Sequence, residues 1–150
     1  HDGDVDLGYV GDIESVDCRL LNDGLDKGYL MVVASIAGSR DGQVYNVNAD
    51  HAAAAIAAGC GAQKLILMTD VLGVLTDKDD PSSLISVLPQ AQVPTLLADG
   101  TLKGGMIPKL TCCLDALSGG VQQAHILDGT LPHAILLELL SDDGIGTMVY

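Results

Sequence analysis

Two continuous apolar runs constrain this chain more than any other feature. YLMVVASIA at 29–37 and KLILMT at 64–69 carry almost no polar alternation, so each reads as a strand buried on both faces, the pattern of a parallel sheet between helical layers. Helical patterns separate such runs along the whole chain. SVDCRLLNDGLDKG, 15–28, places apolar residues at 16, 20, 21 and 25, and Gly28 supplies a stop. SRDGQ carries an Asp-Gly turn, VYNVNA a shorter strand, and Asp50 opens the Ala-rich run HAAAAIAAGC, whose small side chains suit close helix-on-sheet packing. After KLILMT come a polar loop, the short strand LISVL, the helical PTLLADG with Pro94 in its first turn, and GGMIPK leading into the helix KLTCCLDALSGG. QQAHILDG is a further strand, PHAILLELL a helix and GIGTMVY a last strand.

Strands alternating with helices predict an α/β fold: a three-layer αβα sandwich on a mostly parallel open sheet. With 150 residues and no repeat or linker, the expectation is one domain spanning 1–150. Twenty acidic against seven basic side chains, with no Trp or Phe, leave neither a basic face nor a stacking platform for nucleic acid. Any phosphate must be held locally, by backbone N–H groups, a metal ion or one or two lysines. No apolar run approaches the roughly 20 residues needed to span a membrane. The chain starts with His1, and HDGDVDLGYVGD resembles no targeting peptide, so the start is expected to be an internal cut. Cys18, Cys60, Cys112 and Cys113 fit no zinc spacing and are expected to be reduced core thiols of a cytosol-like compartment.

In open α/β sheets, ligands sit outside the carboxyl ends of the strands. Three loops there carry chemistry, although neither G-x-G-x-x-G, a phosphate loop nor a G-x-S-x-G elbow is present. In NVNAD, Asn46 and Asn48 project to one side of an extended segment and offer donors and acceptors to a small polar ligand. Asp50 reads either as the N-cap of the Ala-rich helix or as a functional carboxylate. TDVLGVL, 69–75, reads either as an ordinary βα turn or as a loop whose Gly73 lets backbone pass close to a nucleotide. DKDDPSS reads as a solvated loop rather than a metal site. In GGMIPK, the glycines allow a positive-φ turn and Pro108 suits a first helical turn, so Lys109 falls near a helix N-terminus, where the dipole opposes a cation. It is either a surface lysine or part of an anion site fitted to a transferring phosphoryl group. Taken alone, His133 reads as a helix-start residue with no ligand, His51 as a surface helix position and His125 as a satisfied core histidine.

Taken together, LGYVGDIESVD, GYLMVVASIA, QVYNVNAD, GAQKLILMTDVLGVL, DKDDPSSLI, GGMIPK, LDG and PHAILLELLSDDGIGTM resemble the carboxyl-terminal half of N-acetylglutamate kinases. These belong to the amino acid kinase superfamily, with its carbamate kinase-like fold, and the likeness points to the plant, algal and cyanobacterial type. The resemblance implies transfer of the ATP γ-phosphoryl group to the side-chain carboxylate of N-acetyl-L-glutamate, in arginine biosynthesis, with Mg²⁺ carried by the nucleotide and no dedicated protein metal site. It assigns Lys109 to transition-state stabilisation, Asp50 to organising the catalytic lysines, and Asn46, with Asn48 beside it, to the substrate. It assigns Asp70, Val71, Leu72, Gly73, Val74 and Leu75, and then Thr101, Leu102 and Lys103, to ATP.

By the same resemblance, L-arginine as inhibitor would meet His133, Asp143, Gly144 and Gly146. Asp143 stands where the family usually has Glu, its carboxylate set back by about 1.5 Å, roughly one C–C bond. The family's glycine-rich phosphate loop, second catalytic lysine and substrate-gripping arginine have no counterpart here, so catalysis by this chain alone is not expected. A homo-hexamer, the PII signalling protein as partner, and a plastid-stroma or otherwise cytoplasmic location are implied for the intact protein. The competing readings are another amino acid kinase (carbamate, aspartate or uridylate) and a non-catalytic nucleotide- or arginine-binding regulatory module.

Overall fold

A computed structural model describes residues 8–102, 104–142 and 144–150. Its elements run α1 (Arg19–Asp26), β1 (Ile36–Gly38), β2 (Val44–Asn46), α2 (Ala49–Gly59), β3 (Lys64–Thr69), β4 (Val87–Leu88), α3 (Val93–Ala98), α4 (Met106–Ser118), β5 (Gln123–Asp128), α5 (Ala134–Leu140) and β6 (Thr147–Val149). Four strands form one sheet in the order β3-β5-β6-β4, and β1 and β2 form a separate antiparallel pair.

The α/β class stands, but the sheet is mixed: β3/β5 and β4/β6 are parallel, whereas β5/β6 is antiparallel. Helix length explains the reversal. At 1.5 Å per residue the seven residues of α5 cover only about 10 Å, half of the roughly 20 Å of β5. The chain therefore re-enters the sheet near the carboxyl end of β5, with Thr147 opposite Ile126, and runs back alongside it.

Alternation along the strands separates two faces. Leu65 and Leu67 of β3, Ala124 and Ile126 of β5, and Val149 of β6 enter one core with Leu110, Cys113 and Ala116 of α4 and Ala54 and Ala57 of α2. α4 packs on the sheet and α2 lies against both α4 and β3. His125, between Ala124 and Ile126, points to the opposite face and meets Glu138 of α5. Helices thus cover both faces, giving the three layers expected.

Three expectations fail at the amino-terminal side. The helix of 15–28 is trimmed to Arg19–Asp26, and its apolar residues Leu20 and Leu25 are exposed. The run at 29–37 is not a buried strand. Leu30 and Val32 are 91% and 90% exposed, and only Ile36 and Ala37 of it join a ladder, with β2. A strand apolar on both faces needs neighbours on both edges, and among the described residues no strand pairs with 29–34. Cys18 and Cys60 are not free thiols but a disulfide joining the start of α1 to the end of α2. Their 42-residue separation gives no sequence signal for this pairing. Cys112 and Cys113 are free and fully buried, as expected. Burial pushes their thiols up, to about 11 and about 12, with Asp50 adding to the rise at both.

Candidate functional site

At the carboxyl end of β3, the chain leaves the sheet at Thr69 and lines a cavity of about 610 Å³. Thr69, Asp70, Val71, Gly73 and Leu75 form one wall; Gly100, Thr101 and Leu102 form a second; Gly105, Met106 and Lys109 bring in the start of α4. The cavity thus lies where open α/β sheets place ligands.

The first wall is held by its backbone. Val74 is fully buried, its N–H donates to Thr147 Oγ1 at 2.8 Å, and its carbonyl accepts from Ile85 N–H at 2.9 Å. Val74 and Leu72 do not line the cavity, whereas the other four residues of 70–75 do. A Cβ on Gly73 would stand 2.7 Å from Thr147 Oγ1 and 2.9 Å from a Leu84 methyl, so only glycine fits there. In the second wall, Thr101 donates its N–H to Asp99 Oδ1 at 2.9 Å, and hydrogen bonding from Thr101 holds the Asp99 carboxyl below its ordinary value. Lys103 lies outside the described residues.

α4 begins at Met106 after Gly104, whose φ of +60° is the left-handed turn anticipated from the paired glycines. Pro108 falls in the first turn, and Lys109 follows it. Nζ of Lys109 donates to Asp50 Oδ2 at 2.9 Å, and both side chains are mostly buried. This pair connects two segments 59 residues apart. Asp50 is in the first turn of α2, where a carboxylate is favoured by the helix dipole, and its charge offsets the unfavourable position of Lys109 on α4.

Asp50 is not the N-cap of α2. Asn48 caps instead, its Oδ1 accepting from Asp50 N–H at 2.9 Å and His51 N–H at 3.2 Å. The exchange frees the Asp50 carboxylate to reach Lys109. It also leaves Asn48 with its amide NH₂ as its donor toward a ligand, while Asn46, at the end of β2, is exposed on the same side of the extended segment.

The expected arginine residues gather around α5. His133 is the N-cap of α5, exposed, in the left-handed conformation at φ 61°. Gly144 and Gly146 lie in the loop from α5 to β6, and Asp143 lies outside the described residues. Glu138 organises that loop. Its Oε1 pairs with His125 Nδ1 at 2.7 Å, while Oε2 accepts from Ile145 N–H at 2.7 Å and Gly146 N–H at 2.9 Å. Burial pushes the Glu138 carboxyl up, but hydrogen bonds from His125, Ile145 and Gly146 outweigh it and hold the group below its ordinary value. His125 is therefore buried with a partner, as expected, although its Nε2 has none among the described residues.

The sequence reading missed Thr76, Asp77, Lys78 and Asp79, which line the cavity although DKDDPSS resembles a plain solvated loop. It also missed Glu138 and Thr147, whose roles arise only from folding. The single available signal was a Glu and a Thr in otherwise apolar runs. Among the described residues no three His, Cys, Asp or Glu side chains converge as a metal site, and no helix is long and apolar enough to cross a membrane.

A model of the amino acid kinase family matches residues 1–128. The acetylglutamate kinase of Pelotomaculum thermopropionicum is 53% identical over 144 residues, 96% of this chain and 49% of that protein. The acetylglutamate kinase of Symbiobacterium thermophilum is 54% identical, covering 97% of this chain and 50% of that protein. The chain thus spans about half the length of the curated relatives it matches. Among solved structures, N-acetylglutamate synthase from Neisseria gonorrhoeae, complexed with coenzyme A and L-arginine, superposes with a TM-score of 0.86 at 28% identity. That alignment covers 99% of this chain and 34% of the other.

Proposed function

The chain belongs to the amino acid kinase family, and from that premise we propose that it supplies the nucleotide-binding half of an enzyme that phosphorylates the side-chain carboxylate of N-acetyl-L-glutamate with ATP. The observation that carries this reading is the Lys109–Asp50 pair at the edge of a cavity lined by the start of α4. A helix N-terminus and a lysine together favour an anion, and phosphoryl transfer is accelerated mainly by positioning and by neutralising spreading charge. Lys109 supplies that charge, and Asp50 fixes where its ammonium stands.

The cavity suits an adenine nucleotide in size, and Gly73 brings backbone to its wall without a side chain. Mg²⁺ would enter with the nucleotide, held through its phosphates, as hard cations in such sites commonly are. There it would neutralise phosphate charge. Asn46 and Asn48 present amide groups to the acetylglutamate. Relatives of the same name, at 53% and 54% identity, favour this acceptor over carbamate, aspartate or uridylate.

L-arginine as inhibitor belongs to the same proposal, at the α5 start and the loop that Glu138 holds. The synthase matched above was crystallised with L-arginine, which supports it. Homo-hexameric assembly, docking of the PII signalling protein, and a plastid-stroma or cytoplasmic location are proposals about the intact protein.

The test is to complete the chain with the amino-terminal half of the Pelotomaculum enzyme and to trap acyl phosphate with hydroxylamine in the presence of ATP and N-acetylglutamate. Trapped product that disappears in Lys109→Ala is the expected result. A preference for carbamate or aspartate as acceptor overturns the assignment, and nucleotide binding without any product favours a regulatory module.

A further inference from the structure

Thr147 is fully buried, yet it carries a hydroxyl, and burying one without a partner is costly. Its Oγ1 accepts from the Val74 N–H in a buried hydrogen bond. Val74 thus has its N–H held by β6 and its carbonyl held by Ile85. The residues on either side of it, Gly73 and Leu75, face the cavity. Fixing one buried peptide between two ligand-facing residues fixes the wall they form, and the close approach of Gly73 to Thr147 leaves little room for drift.

Thr147 is in turn placed from the opposite face of the sheet. Glu138 holds the N–H groups of Ile145 and Gly146, the two residues before Thr147, and His125 holds Glu138. Gly146 also packs so tightly on the Ile126 carbonyl that no side chain is tolerated there. A continuous run of hydrogen bonds and covalent links therefore leads from His125 through Glu138 and the Ile145–Thr147 backbone to Val74.

We propose that Thr147 is a positioning residue for the nucleotide loop, and that Glu138 positions Thr147. This rests on the nucleotide reading of the cavity given above. A Thr147 that serves only as core packing would be replaced by valine without consequence, because valine keeps the branched shape and loses only the acceptor. A Thr147 that positions the loop would not, and serine would restore the function because it returns the hydroxyl.

The experiment compares the 150-residue chain with Thr147→Val, Thr147→Ser and Glu138→Gln. It uses calorimetric titration with Mg²⁺ and a non-hydrolysable ATP analogue, amide hydrogen exchange at Val74, and melting temperature. Thr147→Val is expected to weaken the analogue about tenfold, the scale of leaving a buried N–H unpaired, and to speed Val74 exchange. Thr147→Ser is expected to recover both, and Glu138→Gln to fall between parent and valine variant. Affinity for Thr147→Val within twofold of the parent, or no recovery in Thr147→Ser, overturns the proposal. If the parent itself binds no nucleotide, the kinase reading falls. Val74 exchange then decides the positioning claim alone: faster exchange in Thr147→Val sustains it, and an unchanged rate overturns it.

Discussion

Lys109 of α4 and Asp50 of α2 meet at 2.9 Å across the two helices, with about a quarter of the Asp50 side chain and a fifth of the Lys109 side chain exposed. Removing one partner strands the other in a mostly buried position. Asp50→Ala is therefore expected to destabilise the chain by about 1–3 kcal/mol, between the values for exposed and fully buried pairs. Asp50→Asn, which keeps the shape and one acceptor, should cost less. Urea melts of the parent and the two variants check the order, and variants as stable as the parent would mean that the pair contributes no net stability.

Nucleotide binding separates the two residues further. Lys109→Ala removes one of the cations lining the cavity, the one at the start of α4, and is expected to weaken a Mg²⁺–ATP analogue by about 10- to 100-fold, the range for losing a charge-assisted contact. Lys109→Arg keeps the charge but replaces the compact ammonium with a larger planar guanidinium, and should recover part of the affinity. Calorimetric titration reads both, and an unchanged affinity in Lys109→Ala would remove Lys109 from the site.

The disulfide gives a prediction independent of the site. Cys18–Cys60 closes a 42-residue loop, and loop-closure entropy sets an upper figure of about 4 kcal/mol for its stabilisation. Dithiothreitol, or Cys18→Ser with Cys60→Ser, is expected to lower stability toward that amount. Thiol titration under native, non-reducing conditions should find no reactive thiol at pH 7.5. Cys18 and Cys60 are bonded, while Cys112 and Cys113 are buried with thiols pushed up to about 11 and about 12. Two reactive thiols after unfolding without reductant, and four with it, complete the pattern.

The sequence was legible where local pattern and tertiary demand agree. KLILMT, QQAHILDG and GGMIPK predict β3, β5 and the start of α4 because each carries its own period or turn chemistry, and their neighbours in the sheet are on the same chain. YLMVVASIA failed for the opposite reason. Its apolar pattern reads as a strand buried on both faces, but no described residue supplies the neighbouring strands and the run stays mostly exposed. Whether Asp50 caps α2 or serves as a functional carboxylate stayed open in the sequence because Asn48 and Asp50 are two capping residue types two positions apart ahead of the Ala run, and only the fold shows Asn48 as the cap and Asp50 on Lys109. Glu138 and Thr147 were invisible because their partners are 13 and 73 residues away, His125 and Val74.

The uncovered run makes its own prediction. Leu30 and Val32, about nine-tenths exposed, sit with Tyr29 and Val33 in an apolar surface of a kind that promotes self-association. Leu30→Lys with Val32→Lys is expected to change stability by less than about 0.5 kcal/mol, since neither side chain is packed. It should also reduce light scattering at high concentration. A loss of several kcal/mol would show that these side chains are buried in solution.

Acid sensitivity should come from Glu138. Hydrogen bonds from His125, Ile145 and Gly146 hold its carboxyl below the ordinary value of 4.5 in the folded chain, despite burial pushing the other way. For a group depressed on folding, the unfolded chain binds the proton more readily. The stabilisation is then fully present above about pH 4.5 and is lost as pH falls through the folded value. Glu138→Gln removes that titration, so its stability curve below pH 5 should be flatter than the parent's, even if it starts lower at pH 7. Chemical denaturation at a series of pH values compares the two slopes. Parallel curves would place the acid sensitivity on other carboxylates, of which Asp99 and Asp128, both depressed by neighbouring Thr hydrogen bonds, are the next to test.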